Sequence, residues 1–252
     1  MDFTVQKYQS LLHSMKNAGY EFQTYNDFIL QPKDKVIILR HDVDLKPENS
    51  MCFAEMQAEL GIKGVYYFRA VKESWDETII KKISSLGHEI GYHYENITTT
   101  NGNLDLAFND FTKNLEQLRK LAPVSTICMH GSPMSKYDSK DLWKTNDYKS
   151  LGIIAEPYFD TDFDKVFYLT DTGRTWNSEK FSVRDKVNTS FTQKFSVTDQ
   201  IIEAFEQNKI PNQIMFTFHP QRWNDNLMKW FVELNSQNVK NLVKRLLISV
   251  RK

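Results

Sequence analysis

Short, unbroken apolar runs alternate with longer stretches of helical periodicity along this chain. Val36-Ile37-Ile38-Leu39 is continuous and β-branched, the pattern of a strand covered on both faces. It is preceded, over residues 1–20, by apolar or aromatic positions at Tyr8, Leu11, Leu12, Met15 and Tyr20 with Ala18-Gly19 near the end, which predicts an amphipathic helix with a glycine stop. A helix is expected over 47–60, with Pro47 at its start and Gly61 beyond its end. The unit then recurs: strand Val65-Tyr66-Tyr67-Phe68 and a helix over about 75–86 closed by Gly87, then a strand over 89–94 and a helix over about 104–121. Strand Thr126-Ile127-Cys128-Met129 leads into a loop and a short helix near 140–144. Gly152-Ile153-Ile154-Ala155 and Val166-Phe167-Tyr168-Leu169 both read as strands, and 171–196 as a long polar loop with a hairpin. A helix over 197–208, strand Ile214-Met215-Phe216-Thr217-Phe218 and a long helix over 224–247 complete the chain.

Seven short buried strands, most followed by a helix, imply an α/β fold with a parallel sheet, open or closed as a barrel. No linker or composition break divides it, so residues 1–252 are expected as one domain, with 1–30 a helical extension. No GxGxxG follows the first strand and no GxxxxGK[ST] occurs, which removes the main support for a nucleotide-binding fold.

Charge narrows the field further. Thirty-two Lys and Arg balance 32 Asp and Glu, so no global field draws the chain to nucleic acid or anionic lipid. No apolar run has the ~18 residues of a membrane helix, and the first residues lack the basic start and apolar run of a secretory signal. A cytoplasmic protein is the expectation. Cys52 and Cys128 form no CxxC pair and are expected as two buried, reduced thiols.

In parallel α/β folds the loops after the strands converge on one rim, where sites form. In strand order, the residues just past the runs are Arg40-His41-Asp42-Val43-Asp44, Arg69, His93-Tyr94-Glu95, His130-Gly131-Ser132-Pro133, Glu156-Pro157-Tyr158, Asp171-Thr172-Gly173-Arg174 and His219-Pro220-Gln221-Arg222-Trp223. Four of the six histidines fall there. Charges crowd one rim only with mutual compensation or a metal. Imidazole and carboxylate are the ligands of hydrolytic metal sites that keep a position open for water, so one divalent ion is expected, zinc first, with cobalt, nickel, iron or manganese as alternatives. Asp42 and Asp44 are two apart and face one way in an extended strand, able to divide metal binding from proton removal; His93 and Glu95 share that spacing.

At these residues the chain resembles the polysaccharide deacetylase family, the carbohydrate esterase family four fold. Leu39-Arg40-His41-Asp42-Val43-Asp44 is similar to its first motif, which implies Asp42 as base and Asp44 as metal ligand. Gly87-His88-Glu89-Ile90-Gly91-Tyr92-His93 resembles its second and puts His93 on the metal, with His88 at the strand start away from it. Phe216-Thr217-Phe218-His219 resembles its last motif and makes His219 the acid. Ile97 stands where the family has a second metal histidine, leaving Glu95 or His130 to replace it, with Asn96 a weaker candidate. Asp171 through Trp176 loosely matches the stretch that orients the acid and lines the pocket. The resemblance implies a distorted (β/α)7 barrel.

The expected function is metal-dependent removal of an N-acetyl group from a small-molecule or carrier-linked sugar of polysaccharide biosynthesis. The alternatives are a degenerate barrel that binds a glycan or partner without catalysis, and hydrolysis of another C–N amide bond. Substrate contacts are expected from Arg40, His41, Asp171, Arg174, Trp176, Arg222 and Trp223, the arginines as phosphate partners. Tyr92, Tyr94, Tyr137, Trp143, Tyr158, Trp176 and Trp223 are candidates for stacking on sugar faces or for packing the rim. Arg184-Asp185-Lys186 is expected as a solvated charge run or part of a lid, and His13 as a surface or packing residue.

Overall fold

The computed structural model describes residues 1–132, 134–176, 184 and 186–250, with side chains described as far as 243. In chain order the elements are α1 (Val5–Asn17), β1 (Glu21–Gln23), α2 (Tyr25–Leu30), β2 (Val36–Val43), α3 (Pro47–Glu59), β3 (Val65–Phe68), α4 (Glu77–Ser85), β4 (Glu89–Tyr94), α5 (Asn96–Thr99), α6 (Leu104–Arg119), β5 (Ile127–Met129), α7 (Pro157–Asp160), β6 (Phe167–Thr170), α8 (Thr198–Glu206), β7 (Gln213–Phe218) and α9 (Leu227–Val250). Short 3₁₀ turns lie at Ser139–Lys144, Tyr148–Leu151 and Pro220–Arg222. No helix among the described residues is long and apolar enough to cross a membrane.

All pairings are parallel, in the order β5-β4-β3-β2-β7-β6. β1 pairs with Val36–Ile38 of β2, on the stretch before β3 takes over at Arg40, so residues 1–30 contribute a strand as well as helices. The run at 152–155, expected as a strand, supplies one bridge, Ala155 to Thr126, which carries the curl past β5. The architecture is a curled α/β half-barrel of the (β/α)7 kind.

Alternation along the strands sorts the interior into two apolar clusters. Val36, Ile38, Val65, Tyr67, Cys128 and Met215 point inward, closed below by Tyr25 and Phe28 of α2. Ile37, Leu39, Tyr66, Phe68, Ile90, Ile127, Ile214 and Phe216 point outward against the helices. Gly91 is glycine for a packing reason, since a Cβ there would overlap the Tyr67 ring that fills the barrel floor.

β2 is where this sorting matters most. The hydrophobic run ends at Leu39, but the ladder continues: His41 is paired with Tyr66 and Phe218, and Val43 with Phe68. Arg40 and Asp42 therefore lie inside the barrel, while His41 turns outward. The His41 ring stacks on Tyr66 at a centroid separation of 4.1 Å and donates from Nδ1 to the Val65 carbonyl at 3.0 Å. Its Nε2 accepts from Tyr8 and Gln57, and burial pushes its pKa down to about 3. It is a neutral core histidine, which corrects its expected place among the substrate contacts. His88 is likewise structural, accepting from Gly64 N and donating to the Ala54 carbonyl, and His13 is exposed. Cys128 is buried, but Cys52 is exposed on α3.

Glu156, at the barrel gap, is wholly buried and accepts from the backbone N–H groups of Met129 and Tyr158. Burial raises its pKa from 4.5 to about 7. The folded state thus keeps a proton that the unfolded chain releases, and this residue costs stability as pH rises from about 4.5 to 7. Glu156→Gln should gain on the order of 1–3 kcal/mol relative to wild type across that window. Urea midpoints at pH 4.5 and 7.5 measure it; a pH-independent difference contradicts it.

Candidate metal centre

Three side chains from three different strands meet above Tyr67. Asp44 follows the end of β2, His93 is in β4, and His130 is just beyond β5; one donor atom from each lies within 4.8 Å of the others. Asp44 Oδ1 is 3.6 Å from His93 Nε2 and 3.5 Å from His130 Nε2. It is buried and has no hydrogen-bond partner among the described residues.

The other ring nitrogens fix what those Nε2 atoms offer. His93 Nδ1 is 2.9 Å from the Cys128 carbonyl, which only accepts, so Nδ1 carries the hydrogen. His130 Nδ1 is 2.8 Å from Glu95 Oε2. In the neutral rings both Nε2 lone pairs face the bare oxygen of Asp44, three acceptors with no donor between them. Such a donor set suits a divalent cation with an open position. Donors at ~2.1 Å from a tetrahedral zinc stand roughly 3.4 Å apart, close to the observed separations.

The electrostatics agree. Burial opposes ionisation of Asp44, but His130, His93 and His219 outweigh it and hold the carboxyl well below its usual range. Burial would lower the His93 pKa, yet Asp42 and Asp44 raise it. The same field that favours a proton on His93 favours a metal ion there.

Glu95 does not join this cluster. Its Oε1 accepts from Arg69 Nε at 2.8 Å and from Nη2, and its Oε2 from His130 and Ser132. Burial is outweighed by His130 and Arg69, which bring its pKa down to about 2. Its carboxylate holds the His130 ring rather than joining the Asp44, His93 and His130 group. Arg69 also donates to the Asp44 carbonyl at 3.0 Å, tying both acidic residues to one guanidinium. Asn96 is committed to Tyr92 and Asp110, and Ile97 is in the core.

On the opposite wall, His219 Nδ1 is 2.5 Å from Asp171 Oδ1, and its Nε2 is 3.8 Å from Asp44 Oδ2. Asp171 is fully buried and also accepts from His219 N, Arg222 Nη1 and Trp223 Nε1. Despite burial, His219 and Arg222 hold its pKa below the usual value. Gln221 donates to Asp44 Oδ2 at 3.3 Å. Sequence reasoning passed over Gln221; its signal was a place two residues after a rim histidine.

Asp42 sits beneath, 4% exposed, with both oxygens held by Arg40: Nε to Oδ1 at 2.8 Å and Nη2 to Oδ2 at 2.6 Å. Its Oδ2 is 3.7 Å from His93 Nε2. Burial alone would raise its pKa, and Arg40 brings it down. Asp42, His93 and Cys128 form a second, deeper donor set.

Several expected substrate contacts belong elsewhere. Arg40 and Arg222 are buried against Asp42 and Asp171, and so are not presented to a phosphate. Arg174 donates to the Trp230 carbonyl and stacks over the Trp230 ring at 4.3 Å. Trp176 is buried among Phe3, Phe216, Phe218 and Trp223, its Nε1 donating to Thr198. Trp223 is 1% exposed and spends its N–H on Asp171. Asp171 acts on His219, not on the solvent side. Tyr92 and Tyr94 are core residues, and Trp143 packs on Tyr94, Phe111 and Tyr148. Tyr137 and Tyr158 remain partly exposed near the rim. Arg184 donates to the Ser132 and Ser135 carbonyls; Pro133, Asp185 and the middle of the expected hairpin lie outside the described residues.

No family model matches the chain, and no curated protein matches it. Solved structures do. A carbohydrate esterase family 4 pseudoenzyme from Bacillus anthracis is similar at 13% identity and a TM-score of 0.47, over 83% of this chain and 63% of that one. The chain thus spans just under two thirds of that protein's length. A family 4 esterase from Streptococcus mutans is similar at 14% identity and a TM-score of 0.46, over 91% and 90%. A family 4 carbohydrate esterase from Bacillus subtilis is similar at 12% identity and a TM-score of 0.38, over 91% and 83%.

The centre makes a direct prediction for metal binding. Zinc titration by calorimetry should show one tight site, lost in Asp44→Asn and His130→Ala and weakened about 10- to 100-fold in Glu95→Gln. Unchanged affinity in His130→Ala contradicts the assignment.

Proposed function

We propose that the protein is a metal-dependent hydrolase that removes an acetyl group from an N-acetylated sugar. One observation carries the reading: the two oxygens of Asp44 divide the site, Oδ1 turned to the His93 and His130 Nε2 atoms and Oδ2 to the Nε2 of His219. A cation position and a proton donor thus flank a single small space. Asp44, His93 and His130 would hold a divalent ion, which would lower the pKa of a bound water and polarise an acyl carbonyl.

The chain's own groups do the rest. Asp42, kept ionised by Arg40, accepts the proton of the attacking water. Asp171 holds the proton of His219 on Nδ1, so Nε2 faces the site and, when protonated, delivers its proton to the departing amine nitrogen. Water adds to the carbonyl carbon as Asp42 takes its proton, and the C–N bond then breaks as His219 protonates the nitrogen, yielding acetate and a free amine. Tyr137 and Tyr158 are the partly exposed rim aromatics able to meet a sugar face. A small-molecule or carrier-linked N-acetylated sugar remains the proposed substrate.

Asp42→Asn should lower kcat on an N-acetylated chito-oligosaccharide by about 10²- to 10⁴-fold with zinc affinity retained, and Asp171→Asn should impair turnover through the His219 tautomer. Acetate release measures both. The bidentate Arg40 grip, which makes Asp42 a weaker base, favours a second reading, a glycan-binding barrel without turnover. Full sugar binding with no acetate release from the zinc-loaded wild type supports that reading; acetate release from Asp42→Asn at the wild-type rate contradicts the assigned base.

A further inference from the structure

Helix α9 is inside out. A surface helix normally buries its apolar stripe and exposes its polar face. Here the side toward the protein carries Trp230, Glu233, Leu234, Gln237 and Asn241, of which Gln237 and Asn241 are the buried ones. Gln237 donates to Asn241 at 2.8 Å, and Asn241 donates to the Gly173 carbonyl at 2.9 Å. The outer side presents Met228 at 74% exposure, Val232 and Val239 at 65% each, and Leu242 at 60%, with Leu227 and Phe231 beside them.

The spacing of that outer stripe says what covers it. Met228, Val232, Asn235, Val239 and Leu242 follow intervals of four, three, four and three. A mean of 3.5 residues is the seam of a coiled coil, not the 3.6 of a helix lying on a globular core. Asn235, at the centre, is the polar seam position from 228 to 242; facing its mate in a second copy it can hydrogen-bond across the seam, and it is unfavourable in lipid. No seam position from 228 to 242 is charged, so two copies meet without like-charge repulsion. The exposed apolar area of these side chains is on the order of 700 Å², near the ~800 Å² per partner of a standard interface and above the usual largest patch on a monomer.

We propose that α9 pairs with α9 of a second copy of this chain, antiparallel about a two-fold axis near Asn235 that sets Met228 of one protomer close to Leu242 of the other. The interface is isologous and closed. It rests on α9 alone and stands apart from the proposed chemistry.

Analytical ultracentrifugation of the full chain at micromolar concentration should give about twice the 29.7 kDa chain mass. Val232→Lys with Leu242→Lys should raise the dimer Kd at least about 100-fold while the far-UV circular dichroism spectrum of the chain stays unchanged, because both side chains are exposed in the single chain. With Cys52 replaced by Ser, Asn235→Cys should oxidise to a disulfide-linked dimer. A wild type that sediments as a monomer, a dimer that survives the double lysine change, or a monomer that binds phosphatidylserine vesicles through this helix overturns the proposal.

Discussion

The alternation of side chains along β2 is the constraint on which the site depends. Because the strand continues beyond its apolar run, Ile38, Arg40 and Asp42 line the inside, Asp44 follows on the same side, and His41 is sent to the helices. A slip of one residue would bury His41 in the barrel and strand both aspartates against α3. Parallel neighbours on both sides, β3 and β7, pin that register.

Putting carboxylates in such a place requires compensation, and three arginines provide it. Arg40 meets Asp42, Arg69 meets Glu95 and Arg222 meets Asp171. Removing one partner of such a buried pair typically costs about 3–5 kcal/mol, because the remaining charge is left without an ion. Asp44 is the carboxylate of this group without an arginine on its side chain; its side-chain neighbours are imidazoles and Gln221. With the histidines neutral, the described centre carries one uncompensated negative charge at the point where two imidazole lone pairs converge. The structural pairs and the cation position are therefore parts of one electrostatic arrangement.

Much of this was legible in the chain because continuous β-branched runs announce buried strands, and β2, β3, β4 and β7 lie where those runs do. β1 was missed since Glu21-Phe22-Gln23 is too short and polar for any periodicity to register; it is a strand only because β2 offers an open edge. The opposite error occurred at 152–155, where an apolar run met one partner residue and made a bridge. His41 looked like a rim residue because the end of β2 was placed where hydrophobicity stopped, whereas Trp176 and Trp223 follow strand ends that were placed correctly and are drawn into the core by Phe3, Phe216 and Phe218. Hydrogen-bond ladders and aromatic packing extend further, and no local pattern reports that. The open choice between Glu95 and His130 turned on Arg69, whose grip on Glu95 comes from a neighbouring strand and leaves no mark in spacing.

We propose that Asp44, His93 and His130, rather than the deeper Asp42, His93 and Cys128, hold the metal. X-ray absorption at the zinc edge of the metal-loaded protein tests this most directly. Nitrogen and oxygen donors with the multiple scattering of two imidazoles are the expected result. A sulfur scatterer at about 2.3 Å, or the signature of a single imidazole, would contradict it.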